Sequence, residues 1–171
     1  MNIRDRFCAS AFTLLMILFI SAFANGQEMA GGSSGRNVAM MKLTTIPPLP
    51  VCAKGSVQSG DPSKGPSVIF AKATTGCTIP WHWHTPNEHV MIVSGTARFE
   101  MKEGKPLTLS AGGFALMAAQ QAHQFHCVQT CQFYVYSDAA FDIHYIDKQG
   151  KEITPAEAMK AVREVAATEM K

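Results

Sequence analysis

What this sequence lacks narrows the field first. No apolar run reaches the roughly 20 residues that a bilayer-spanning helix needs; the stretch AFTLLMILFISAFA (11–24) stops short of it. The formal net charge is only +2, with no block of one sign, so neither nucleic acid nor a membrane surface is indicated as a partner. The Gly-x-Ser-x-Gly match GGSSG (31–35) lies in a Gly/Ser-rich stretch and not at a strand-to-helix elbow, and there is no phosphate-cradling glycine loop, which leaves serine hydrolase and nucleotide-binding readings without support. No internal repeat and no second domain is evident. Histidine is scarce as well, yet three of the 6 histidines fall within PWHWHTPNEHV (80–90).

The N-terminus carries Arg4 and Arg6 ahead of the short apolar stretch, which closes on Ala22-Phe23-Ala24. A basic region, a short apolar core and an A-x-A site predict a secretory signal peptide over 1–24 and export to the periplasm or beyond. Cleavage would remove the only apolar run that approaches a membrane span. Cys8 precedes that run and is not placed for lipidation. Export puts Cys52, Cys77, Cys127 and Cys131 in an oxidising compartment, where disulfides persist. Four cysteines allow three connectivities. HCVQTCQF (126–133) suggests one of them: a three-residue hairpin loop would set Cys127 and Cys131 face to face on neighbouring strands, either as a bridge or as two buried thiols.

Residues 25–45, rich in Gly and Ser, read as a flexible leader. IPPLPV (46–51) is stiffer and extended along the domain edge. GSVQSGDPSKGPS (55–67) is dense in turn residues and reads as an exposed loop. From Val68 onward short β-rich segments alternate with turn signals: 68–74, 89–95, 96–102, 106–110, 114–118, 123–128, 131–137 and 141–146. Ala97, Phe99 and Met101 fall on one face of their segment, with Arg98, Glu100 and Lys102 on the other. Such a series predicts a sandwich or barrel over 46–150, and the chain's ten Met and ten Phe supply core material. Residues 151–171 close the chain differently. Thr154 as N-cap, Pro155 at the first helical position and Glu157 completing a capping box predict one amphipathic helix, with Met159, Val162 and Ala166 on its apolar face.

Within the histidine-rich segment, His82 and His84 are two apart, so an extended strand sends both side chains off one face. Pro86 and Asn87 interrupt that strand, and Glu88 returns at the start of the next, with His89 facing the other way. Two imidazoles and a carboxylate make the facial set that holds non-haem iron, and a third imidazole would equally suit manganese, zinc, nickel or copper. His123 and His126 are the downstream candidates; being three apart, only one of them can point inward from a regular strand. An H-x-H pair alone says little, since such pairs are common. The same pair with Glu at short fixed spacing in an apolar β setting is far rarer. Trp81 and Trp83 alternate with the histidines and read as packing on the opposite face.

GCTIPWHWHTPNEHVMIVSG (76–95) resembles the first motif of the cupin superfamily, Gly-x5-His-x-His-x3-Glu-x6-Gly, with Gly76, His82, His84, Glu88 and Gly95 at every fixed position. GGFALMAAQQAHQFHC (112–127) resembles the second motif in part: Gly112 and His123 match, whereas Ala118, Gln120 and Cys127 stand where the family has Pro, Gly and Asn. The resemblance covers roughly residues 65–140. It implies an all-β fold, the double-stranded β-helix or jelly-roll barrel, here followed by the C-terminal helix. It also implies one divalent transition metal (Fe, Mn, Zn, Ni or Cu) on His82, His84, Glu88 and His123, with His126 left out. FDIHYID (141–147) resembles a strand that follows the second motif in small single-domain cupins.

The expectation is therefore an exported single-domain cupin acting on a small organic molecule, by dioxygenase, lyase, isomerase or decarboxylase chemistry, because a fold does not name a reaction. A non-catalytic metal- or small-ligand-binding module is the alternative, and a barrel that has lost its metal a weaker one. Cys127, Tyr134 and Tyr136 are the candidate proton-transfer groups, Cys127 because it shares strand parity with His123. His144 reads as structural. The C-terminal helix is a candidate contact for a homodimer.

Overall fold

A computed structural model of the chain describes residues 35–169, with side chains in the last helix described to Arg163. The expected signal segment (1–24) and residues 25–34 of the leader lie outside the described residues. Among the described residues no helix is long and apolar enough to cross a membrane.

Among the described residues nine strands follow in order: β1 (Thr44–Thr45), β2 (Ala53–Gly60), β3 (Ser67–Ala73), β4 (Thr78–Trp83), β5 (Glu88–Met101), β6 (Leu107–Ser110), β7 (Phe114–Met117), β8 (His123–Ser137) and β9 (His144–Tyr145), then helix α1 (Pro155–Glu169). All pairings are antiparallel. Two long strands organise them. The first half of β5 pairs with β7 and with the second half of β8, which continues to β3, β2 and β1. The second half of β5 pairs with β6 and with the first half of β8, which continues to β4 and β9. Because β5 and β8 run through both sets, one curled antiparallel sheet wraps a single core. This is the barrel expected from the strand series, in the jelly-roll form that the cupin resemblance implies.

The length of β5 corrects the expectation of two strands joined by a Ser-Gly turn. Its inward residues are Glu88, Val90 and Ile92 before the junction and Ala97 and Phe99 after it, so the buried set changes from even to odd positions. A strand of period two can do this only by absorbing an extra residue, and the register against β8 slips repeatedly between Ile92 and Ala97. Gly95 sits there at φ 78°, and a Cβ on it would come within 2.2 Å of the Thr130 carbonyl oxygen. Glycine is required for both the left-handed backbone and the close approach.

The same irregularity corrects the hairpin expected between Cys127 and Cys131. Both lie on the continuous strand β8, both side chains are fully buried, and they remain thiols with the Cys131 Sγ donating to the Cys127 Sγ at 2.9 Å. The disulfide instead joins Cys52 to Cys77, tying the start of β2 to the approach to β4 across a sequence separation of 25. Residues 55–60, expected in a loop, form most of β2 and pair with β3; the exposed turn is confined to 61–66. The polar composition of this stretch reflects a strand near the sheet edge, where one face meets water.

Core side chains come from the alternate positions of β3, β5, β7 and β8, with Phe125 meeting Phe99 edge to face at 5.4 Å and Phe133 at a tilt at 5.2 Å between ring centres. Each such phenylalanine removed from water contributes about 2 kcal/mol. At the C-terminus the capping box forms as expected: Glu157 N–H donates to the Thr154 Oγ1 at 3.3 Å, and Thr154 N–H donates to the Glu157 carboxylate at 2.8 Å. Ala158 is the deepest of the described side chains of α1, which lies beside β4.

Candidate metal centre

β4 carries His82 inward, and His84 follows just past its end; both are at most 4 % exposed. Asn87 holds the turn that follows. Its amide donates to the Asp138 carboxylate at 2.7 Å and its carbonyl accepts from the Ala119 N–H at 3.0 Å. That turn brings Glu88, the first residue of β5, back to the histidines. His123, the first residue of β8, pairs with His82 across the sheet.

Three histidines, His82, His84 and His123, thus place one nitrogen each within 4.8 Å of one another. Glu88 closes the group, its Oε2 lying 3.5 Å from His84 Nε2 and 3.3 Å from His123 Nε2. Of the four residues named from the sequence, the three histidines meet at this point and Glu88 lies beside two of them. His126 does not; its Nδ1 pairs with the Thr78 hydroxyl at 2.9 Å. His89 turns to the outer face beside Phe114 and Tyr136.

The opposite side of each ring explains the convergence. The Nδ1 of His82 donates to the Pro80 carbonyl at 2.6 Å, that of His84 to the Asp142 carbonyl at 2.5 Å, and that of His123 to the Gln121 carbonyl at 2.9 Å. A ring that donates through Nδ1 presents the Nε2 lone pair, and a backbone carbonyl on the far nitrogen is how a ligating imidazole is oriented. Three lone pairs and a carboxylate then face a shared, water-excluded point. His84 Nε2 is buried without a hydrogen-bond partner, a cost that a cation removes. Neutral nitrogen and anionic oxygen donors at this spacing fit a divalent transition metal.

Electrostatics in the metal-free cluster follow from burial and from the single anion. Burial, assisted by the neighbouring His123 and His84, holds His82 well below its ordinary pKa and so keeps it neutral. Burial also opposes charge on Glu88, but His84 and His123 outweigh it and hold the carboxyl well below the usual range. For His84, burial is outweighed by Glu88 and the Asp142 carbonyl, which raise it.

Several expected participants are elsewhere. Cys127 hydrogen-bonds the Ala73 and Gln129 carbonyls and does not line the cavity beside the cluster. Tyr134 packs on Phe70, and Tyr136 lies by His89 on the outer face; none of these is placed to move a proton at the site. FDIHYI forms a strand only at His144–Tyr145. Its first residues serve the site instead: Phe141 stacks on His84 at 4.4 Å, and the Asp142 carboxylate accepts from the Thr85 N–H at 2.7 Å and from His144 Nε2 at 3.2 Å. His144 is structural, stacked on Trp83 at 3.9 Å and 5°. Phe141 and Asp142 were missed because a backbone carbonyl acceptor and a ring stack across a sequence separation of 58 leave no trace in local pattern.

A small antiparallel jelly-roll barrel with three histidines positioned to bind a metal ion defines the class. Residues 70–136 match the cupin domain family, and it is to cupins that this stretch of the chain is similar. The fold is similar to an RmlC-like cupin protein from Ralstonia eutropha (18 % identity, TM-score 0.55, 80 % of this chain and 88 % of that one). It is also similar to the polyketide cyclase RemF from Streptomyces resistomycificus (13 %, 0.59, 68 % and 87 %) and to KdgF from a Halomonas species (16 %, 0.50, 61 % and 94 %). No curated protein matches the chain.

Proposed function

We propose that the protein binds one divalent transition metal through His82, His84, His123 and Glu88, and that it acts as a metal-dependent enzyme on a small organic molecule. The observation carrying this reading is that all three rings are locked through Nδ1 to backbone carbonyls, leaving a buried His84 Nε2 without a partner. Four protein donors on an ion that accepts six leave room for an exogenous ligand, and the bound ion would supply Lewis-acid or redox chemistry there. The chain's own contribution is orientation of the donors, exclusion of water by Phe141 and the core, and a carboxylate at Glu88. Dioxygenase, lyase and isomerase reactions are all compatible with this donor set, and a protein of similar fold is a polyketide cyclase.

The test is elemental analysis of the purified protein beside His84→Ala. Wild type should carry close to one equivalent of metal, and the variant far less; equal loads would remove the assignment. We further propose that the protein is exported. The N-terminal basic-apolar-AxA pattern and the Cys52–Cys77 disulfide support this. N-terminal sequencing of the mature protein should begin at Asn25.

A further inference from the structure

Beside the cluster lies a cavity of about 280 Å³ into which His82, His84 and Glu88 open. At about 30 Å³ per water-sized group this holds roughly nine non-hydrogen atoms. Thirteen of its nineteen lining residues are apolar, and nine of those thirteen lie outside residues 70–136. They come from the strap Ile46–Leu49, from Ala53 of β2 and Ile69 of β3, from Pro62 in the turn between them, and from Phe141 and Ile143. The strap is fixed by the Tyr145 hydroxyl donating to the Pro48 carbonyl at 3.2 Å, and the facing loop by Phe141 N–H donating to the Pro62 carbonyl at 2.7 Å.

Away from the histidines, the polar groups lining the cavity are largely engaged already. Ser63 donates its hydroxyl to Asp61 at 2.7 Å, and the Asp142 carboxylate is held by Thr85 and His144. Apart from the Lys54 ammonium at the rim, a ligand body lying against these walls finds few free hydrogen-bonding groups, and polar groups on it lose by being buried unpaired. Charge selects the other end. A divalent ion on three neutral imidazoles and one carboxylate keeps one positive charge, while Lys54 and Asp142, the remaining charged residues of the lining, offset each other.

We infer that this cavity binds a compact, largely apolar monoanion of about nine non-hydrogen atoms, its anionic end toward His82, His84 and Glu88 and its body against the strap and the Phe141–Ile143 segment. The inference rests on the metal reading above and adds the ligand class and the residues that select it.

The experiment is titration calorimetry of the metal-loaded full chain with benzoate, 4-methylpentanoate, acetate and benzyl alcohol, with metal content measured on the same samples. Benzoate or 4-methylpentanoate should bind at least tenfold more tightly than acetate, which has the anionic end alone, and than benzyl alcohol, which has an apolar body alone. Leu49→Trp and Ile143→Trp, one on each wall, should each weaken the apolar acids at least tenfold and leave metal content and acetate binding as in wild type. Acetate or benzyl alcohol binding as tightly as both acids would overturn the proposal, as would wild-type affinity for the acids in both tryptophan variants. A protein that carries no metal yet still prefers the apolar acids sinks the metal reading alone. A metal-loaded protein without that preference sinks this one alone.

Discussion

The segment 76–95 and the segment 112–127 do the same job with different resources. In the first, every glycine, histidine and glutamate of the cupin pattern is present, and it delivers His82, His84 and Glu88. In the second, three positions depart from that pattern, and it still delivers His123 to within reach of the other two. The turn before His123 shows how. Gln120 stands where the family has glycine, and it adopts φ 61°, the one described non-glycine residue in the left-handed region. Its N–H donates to the His84 carbonyl at 2.8 Å. The backbone shape is therefore retained and the usual residue is not. What the site requires is a chain path that offers the Gln121 carbonyl to His123 Nδ1. Glycine makes that path cheap without being essential to it.

Perturbations can sharpen this contrast, from the largest effect downward. Replacing the histidine of either segment, His84→Ala or His123→Ala, should abolish near-stoichiometric metal binding to a similar degree; chelation of wild type should lower its melting temperature and leave His84→Ala unmoved. A His123→Ala protein that keeps its metal would mean that only the first segment holds the ion. Gly95→Ala, in the first segment, forces a Cβ against the Thr130 carbonyl and a left-handed alanine; a loss of about 3 kcal/mol is expected in denaturant unfolding. Cys52→Ser or Cys77→Ser opens the bridge beside the first segment and should cost about 3 kcal/mol under oxidising conditions. Cys127→Ser, in the second segment, leaves that bridge intact, so its effect should be the same with and without reductant. Gln120→Gly is the mildest and of opposite sign: relief of the left-handed side chain should stabilise the protein by about 1 kcal/mol at unchanged metal content. A loss on that substitution would show that the glutamine side chain, and not the turn alone, supports the site.

The sequence showed the four candidate ligands plainly because their spacing follows from strand period two and from one short turn, both local properties. The β series and the capping box at Thr154 and Glu157 were legible for the same reason. The long strands were not. Ser94-Gly95 and Val128–Thr130 look like turns in isolation, and only the approach of Gly95 to the Thr130 carbonyl shows that the two irregularities are packed against each other. The cysteine pairing depended on that same point, since Cys127 and Cys131 face each other across a bulge and not across a hairpin. Residues 55–60 went unrecognised as β2 because edge strands tolerate Gly and Ser, and the roles of Phe141 and Asp142 arise from contacts that no window along the chain can hold.

Cys127 and Cys131 lie behind Ala73, Phe125 and Phe133 with neither sulfur open to water, and burial raises the Cys131 thiol well above its ordinary value. An alkylating reagent needs a thiolate that it can touch, so neither group will react until the barrel wall parts. The pace of labelling at these two positions is consequently a clock for the opening of this end of the molecule, and it can be read with the metal bound or stripped.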